Sequence, residues 1–300
     1  MATLLRQVAL VSESNSVGLA DLTRVSAAVQ KQVTRDFAPI WDVSATVDAF
    51  GKLEDVPLGY WPVIIQDNIG FAAAGIHLDK DGQPYALVTA GDDWSLTASH
   101  EVLEMLADPF GNRVIAGDSP KSDQGRVEFL VEVCDPSESA EFGYTANGVL
   151  VSDFYTPSYF DPIQAVGVRY SFTGALTEPR QVISGGYLSW HEPVADHWWQ
   201  LTYFGPQPTF RDLGQLSAKN GSMRSQIDRL TEAESGKQRK GTRTSLMAAR
   251  AAGDINRKSS ENKAAMWREQ IAQVLSAGRA APAPAPEKPE VRRPRRMRGE

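Results

Sequence analysis

The chain has 300 residues, of which 42% are apolar and 23% are charged, a composition typical of soluble globular proteins. The only cysteine, Cys134, excludes an intramolecular disulfide and a cysteine-based zinc cluster, so a metal site would need histidine and carboxylate ligands. We find no secretory signal and no run of about 18 apolar residues that would suit a membrane helix. We therefore expect a cytoplasmic protein without membrane contact.

Charge is distributed unevenly along the chain. Residues 1–218 carry a net charge of −16, whereas residues 219–300 carry +10 and end in a Pro-Ala spacer and arginine clusters. Arginine clusters bind polyanions by displacing counterions, although a solvated tail without a partner has the same composition. We predict an α+β domain at 1–215, a helical extension at 216–280 and a disordered Pro/Arg-rich tail at 281–300 that is a candidate polyanion contact.

The first predicted element is a helix, followed by several strands. Apolar residues three or four apart predict an amphipathic helix over residues 21–37 that is capped by Asp21. Short β-rich runs at 41–50, WPVIIQ, AAGIHL and PYALVTA then predict a meander of strands. A second helix carries SHEVLEMLADP, with Asp92, Asp93 and Ser95 as candidate caps. Downstream we predict a strand in RVEFLVEVCDP, a hairpin turning at Asn147-Gly148, and another strand in VGVRYSF.

The second helix carries the candidate chemistry. His100, Glu104 and Asp108 follow each other at intervals of four residues, so their side chains project from nearly one face. Two ligands one turn apart on a rigid helix can reach one metal ion at about 2.0–2.2 Å. Glu101, next to the histidine, can lie beside a metal-bound water. The spacing therefore predicts a metal-binding helix.

Two resemblances sharpen this prediction. The segment from His100 to Glu104 resembles the zinc helix of zincin metallopeptidases, HExxH, with glutamate in place of the second histidine. The longer pattern is similar to the plant phosphate-induced EXORDIUM-like family and its bacterial relatives, which show SHExxE, then Asp-Pro, and later Glu-x-x-Asp. The matching residues, within about residues 85–160, are Ser99, His100, Glu101, Glu104, Asp108, Pro109, Glu132 and Asp135.

The resemblance implies a fold, a metal and a set of roles. The fold would be a zincin-like mixed sheet packed on the metal-binding helix. His100 and Glu104 would be metal ligands, Glu101 the general base, and an acid of the Glu-x-x-Asp segment the third ligand. We favour Asp135, because Pro136 ends the strand and lets Asp135 turn inward, with Glu132 as the alternative. The expected metal is Zn²⁺, and the two carboxylates would also suit Ca²⁺ or Mn²⁺.

Other candidate residues have weaker roles. Asp108 before Pro109 is more typical of a turn than of a metal ligand. His77 lies in a predicted strand and is a candidate for the substrate side of the cleft. We interpret His191 and His197 as residues of an aromatic surface and Cys134 as a buried small residue. Ser99 does not lie in a Gly-x-Ser-x-Gly motif, which excludes a serine hydrolase of that type.

The favoured function is hydrolysis of a peptide or protein substrate by a zinc-activated water. The alternative is a non-catalytic metal-binding or interaction module on a zincin-like scaffold.

Overall fold

The computed structural model describes residues 5–238 and four isolated residues between 265 and 272. This part of the chain is an α+β fold in which sheets dominate and helices are few, as predicted for the class. Among the described residues, no helix is long and apolar enough to cross a membrane. The tail predicted at 281–300 lies outside the described residues.

The first sheet has five strands in the order β2-β1-β3-β5-β4. β4 is antiparallel to β5, and the other pairings are parallel. The predicted meander is therefore wrong. It omitted β1, which is joined to its parallel neighbour β2 by a helical crossover that a meander lacks. The strands are β1 (Arg6–Ser12), β2 (Ala45–Phe50), β3 (Trp61–Gln66), β4 (Gly75–Lys80) and β5 (Gln83–Thr89).

The crossover between β1 and β2 consists of α1 (Leu19–Lys31), a π-helical segment (Gln32–Phe37) and α2 (Ala38–Trp41). The apolar face predicted for it, from Leu22 to Phe37, is buried. The predicted cap is wrong, because the helix starts two residues earlier, after Gly18, without a side-chain cap. Trp41, expected at the start of a strand, ends α2.

The second predicted helix, α3 (Trp94–Ala107), follows β5 and contacts β4 and β5. Its other side is covered by the hairpin of β8 (Tyr144–Ala146) and β9 (Val149–Val151). Because both sides are covered, nearly the whole helix is buried, including its ionisable residues. The hairpin turn at Asn147 and Gly148 is confirmed, with left-handed φ angles of 49° and 76°.

The second sheet is antiparallel, in the order β12-β11-β10-β7-β6. The strand predicted in VGVRYSF is wrong. Gly167 turns the chain at φ 81°, Val166 is exposed, and only an isolated bridge joins Ser171 to Tyr155. The strands are β6 (Val114–Asp118), β7 (Arg126–Leu130), β10 (Tyr187–Glu192), β11 (His197–Thr202) and β12 (Thr209–Gly214).

α4 (Met223–Gln238) lies in the segment predicted as a helical extension. Ile227 packs on Leu130 and Trp198, in an apolar cluster separate from the main core. The first turn is held by the loop after α3, where the N–H groups of Met223 and Arg224 donate hydrogen bonds of 3.0 Å to Asn112 Oδ1 and Gly111 O. The isolated residues farther along are helical and exposed: Ala265, Arg268, Glu269 and Ala272.

Candidate metal centre

Four separate parts of the chain bring ionisable side chains into one buried cluster. α3 contributes a histidine and two glutamates, β4 a histidine, the segment after β7 two carboxylates, and α4 an arginine. Each of these residues is at most 6% exposed. We call them the carboxylate cluster: His77, His100, Glu101, Glu104, Glu132, Asp135 and Arg224.

His100 lies at the centre of the predicted ligand set. Its Nε2 atom is 3.2 Å from Glu104 Oε2, one helical turn later, and 3.2 Å from Asp135 Oδ1. Two atoms bound to one tetrahedral zinc ion at about 2.0–2.1 Å are about 3.3 Å apart. The spacing of these three side chains therefore suits a shared metal ion.

The segment after β7 decides which acid faces His100. β7 ends at Leu130, and Asp135 begins a short 3₁₀ turn containing Pro136. Asp135 points to His100, whereas the Oε2 atom of Glu132 contacts the guanidinium group of Arg224. The geometry thus favours Asp135 over Glu132 as the third ligand, although both belong to the same cluster.

Glu101 lies on another side of α3, facing β4. Its Oε2 atom is 3.6 Å from His77 Nδ1, which is also 3.7 Å from Glu104 Oε2. Gly75 makes room for the carboxylate, since a Cβ there would lie 2.5 Å from Glu101 Oε1. His77 therefore joins the cluster, a position that its strand context alone did not reveal.

The tautomer of His77 follows from its other nitrogen. Nε2 is 3.2 Å from the carbonyl oxygen of Asp108, which can only accept, so Nε2 carries the hydrogen. In the neutral imidazole, Nδ1 then presents a lone pair to Glu101 and Glu104. A backbone carbonyl that orients one ring nitrogen in this way is typical of histidines that bind a metal through the other.

Several buried atoms of the cluster have no hydrogen-bond partner in the described part of the chain. They are His77 Nδ1, His100 Nε2, Glu101 Oε2 and both carboxylate oxygens of Asp135 and of Glu132, of which Glu132 Oε2 has an ion-pair contact with Arg224. Buried polar atoms rarely lack a hydrogen bond, because losing contact with water costs free energy that no new hydrogen bond offsets. Imidazole nitrogens and carboxylate oxygens are zinc and manganese donors, so the residues present fit a divalent cation.

Charge within the cluster perturbs its proton equilibria. Burial disfavours protonated His100, but Glu104, Asp135 and Glu101 outweigh burial and raise the pKa of His100 well above its ordinary value. Burial and then the charge of Glu104 raise the pKa of Asp135. Burial also acts to raise the pKa of Glu104, yet His100 and Arg224 lower it overall. The metal-free cluster therefore holds protons that a cation would displace.

The remaining sequence candidates lie elsewhere or serve the backbone. Asp108 Oδ2 accepts a 2.7 Å hydrogen bond from the Arg113 N–H, as expected for a turn residue. His191 pairs with Glu128 and Asp196, and His197 pairs with Asp212, all at the surface of the second sheet.

Cys134 and Tyr155 adjoin the cluster. Cys134 is fully buried, and burial followed by the charge of Glu104 raises its thiol pKa well above the ordinary value. The thiol therefore stays protonated, while the Cys134 N–H donates a 3.1 Å hydrogen bond to Glu104 Oε1. Burial also raises the pKa of Tyr155, with smaller contributions from Tyr159, Glu104 and Asp135. No motif in the sequence marked Tyr155.

The backbone around Asp135 leads to a first prediction. A Cβ at Gly186 would lie 2.7 Å from the carbonyl oxygen of Asp135 and also clash with that of Pro136. Gly186→Ala should therefore push the Asp135 turn away from His100, lower the free energy of unfolding by about 1–3 kcal/mol and weaken metal binding. Chemical denaturation and elemental analysis measure both effects.

Gly205→Ala is the matched control, because a Cβ there meets nothing within 4 Å. Equal stability and equal metal content in the two variants would contradict the close approach between Gly186 and the Asp135 turn.

The assignment of this centre depends on its geometry and chemistry. Comparison with known protein families, with curated proteins and with solved structures found no match to this chain.

Proposed function

We propose that the protein is a metal-dependent hydrolase of the zincin type, with peptides or proteins as substrates. The single observation that carries this proposal is the convergence of Glu104 and Asp135 on His100, whose Nε2 atom lies 3.2 Å from each carboxylate in a buried cluster with unsatisfied metal donors. A zinc ion held there would lower the pKa of a bound water and polarise a substrate carbonyl.

Glu101 would be the general base in this proposal. It follows His100 directly, so it points about 100° away around the helix and reaches the cluster from the side of β4. Its unpartnered Oε2 atom is free to accept the proton of an attacking water. His100, Glu104 and Asp135 would hold the cation, while the Cys134 N–H donates a hydrogen bond to the second oxygen of Glu104.

A cavity next to the cluster is a candidate site for a substrate. It has a volume of about 230 Å³ and borders Gly75 on β4 and Arg224 on α4, and of the cluster residues Arg224 alone lines it. A mixed sheet whose antiparallel edge strand, β4, packs beside α3 also agrees with the zincin-like fold that the motif implies. The apolar side chains lining the cavity suit an apolar group of a substrate: Phe71, Ile76, Leu78, Tyr187 and Phe204.

A non-catalytic metal-binding module is the second candidate. Four carboxylates in the cluster, against two imidazoles, favour hard cations such as Ca²⁺ and Mn²⁺ more than a two-histidine zinc site does. A structural ion in this position would join α3 to the segment after β7. The two functions differ in whether Glu101 is needed for turnover.

Metal content tests the proposed centre. Protein purified without chelator and offered zinc should hold about one equivalent. His100→Ala removes the central donor and should reduce the content to well below half an equivalent. Elemental analysis after desalting measures both values.

His191→Ala is the matched control, because His191 is a surface histidine paired with Glu128. Unchanged metal content in His100→Ala, or a nearly metal-free parent protein, would overturn the proposed centre.

A further inference from the structure

Arg224 is a buried cation that the hydrolase mechanism does not use. It is carried by α4, 120 residues after Glu104, and is only 3% exposed. Its NH1 atom lies 3.0 Å from Glu104 Oε2 and contacts Glu132 Oε2, while its Nε atom pairs with Asp228 at 3.1 Å. One guanidinium nitrogen is thus held between two carboxylates of the cluster.

The oxygen that Arg224 contacts is also the one that faces both histidines. Glu104 Oε2 is 3.2 Å from His100 Nε2 and 3.7 Å from His77 Nδ1. Among the described residues Glu104 belongs to three groups of possible ligands, one with His100 and Cys134, one with His77 and Glu101, and one with Glu132 and Asp135. Two imidazoles and four carboxylates are more donors than a single ion with three protein ligands uses.

Charge arithmetic separates one ion from two. Asp228 is left out of this count because its side chain is 25% exposed and reaches solvent. With neutral imidazoles, the four buried carboxylates and Arg224 then sum to −3. One divalent ion brings the sum to −1, whereas two would reverse it to +1. Without the guanidinium group, two divalent ions would neutralise the four carboxylates. A buried site disfavours excess charge of either sign, and a bound arginine repels a neighbouring cation.

We propose that Arg224 takes the place of a second divalent cation between Glu104 and Glu132 and thereby restricts the cluster to one metal ion. The unpartnered Oε1 atom of buried Glu132 is a further donor at that position. This inference deepens the proposed function, because it places the first ion at His100, Glu104 and Asp135. Arg224 is accordingly a residue that determines metal stoichiometry.

The test is the number of manganese ions bound by full-length variants, since Mn²⁺ accepts carboxylate ligands readily. The parent protein should bind about one equivalent of Mn²⁺, and Arg224→Gln about two, in calorimetric titration and in elemental analysis. The double variant Arg224→Gln, Glu132→Gln should return to about one. Arg224→Lys keeps the charge, and Asp228→Asn keeps the guanidinium group, so both should stay near one.

The increment between Arg224→Gln and the parent measures this inference, whereas the parent's own content measures the proposed function. An unchanged content in Arg224→Gln would overturn the inference, as would a second ion that persists without Glu132. Failure of Arg224→Gln to fold even in saturating Mn²⁺ would overturn it too, because a cation must be able to replace the guanidinium group. If the parent protein binds no metal and Arg224→Gln binds one equivalent, the increment is still one ion, so the role of Arg224 is supported. The proposed ion at His100, Glu104 and Asp135 is then contradicted.

Discussion

Glu101→Gln is expected to lower peptide hydrolysis by about 10²- to 10⁴-fold while leaving the fold and the metal content unchanged. Glutamine keeps the size of the buried side chain and its fit beside Gly75, but it cannot accept the proton of water. Glu104→Ala should instead lose metal and activity together, because it removes a proposed ligand. Turnover of a broad peptide library, compared with metal content, measures the difference between the two variants.

Glu128→Gln serves as the matched control, because Glu128 pairs with His191 on the second sheet away from the cluster. Its turnover should equal that of the parent. If the parent cleaves no peptide faster than Glu101→Gln and both bind equal amounts of metal, the hydrolase proposal is contradicted. The non-catalytic metal-binding module is then favoured.

Metal affinity is expected to fall as the pH is lowered from 8 to 6, by up to about tenfold per pH unit for each proton that the cation displaces. In the metal-free cluster, Glu104 and Asp135 hold the pKa of His100 above its ordinary value of 6.5 despite burial. The imidazole must lose this proton to bind a cation, so acid competes with the metal. The raised pKa of Asp135 acts in the same direction. Calorimetric titration in buffers of different ionisation enthalpy measures the protons released per ion.

Stability without metal should show the opposite trend. A raised histidine pKa stabilises the folded state below the unfolded value near 6.5, and this contribution is lost as the pH rises through the folded value. Glu104, with its lowered pKa, contributes stability that is present above its unfolded value of 4.5 and is lost only in acid, so it does not change this trend. The metal-free protein should therefore melt at lower temperature as the pH rises from neutral, while the metal-bound protein should not.

Metal affinity that is constant from pH 6 to pH 8 would contradict the protonation of His100.

Local spacing was enough to predict α3 and the residues on it. Three local features predicted the helix: the apolar pattern, the Asp-Pro stop and the four-residue interval between His100 and Glu104. Each acts over one or two helical turns, so a short stretch of sequence is enough to recognise it. The Asn147-Gly148 turn was predictable for the same reason, because left-handed backbone angles favour these residues. The burial of the first helix's apolar face followed from its period.

Contacts between distant parts of the chain determined the sheet topology and the composition of the cluster. Local sequence patterns do not encode such contacts. The strands' local composition did not distinguish parallel from antiparallel neighbours, and β1 was overlooked although four of its residues are fully buried. Likewise, no motif linked His77 or Arg224 to Glu104, because they come from a strand 27 residues earlier and a helix 120 residues later. These side chains meet because β4 packs against α3 and because the loop that follows α3 holds the first turn of α4. Burial then makes their charges interact strongly, since little water remains to screen them.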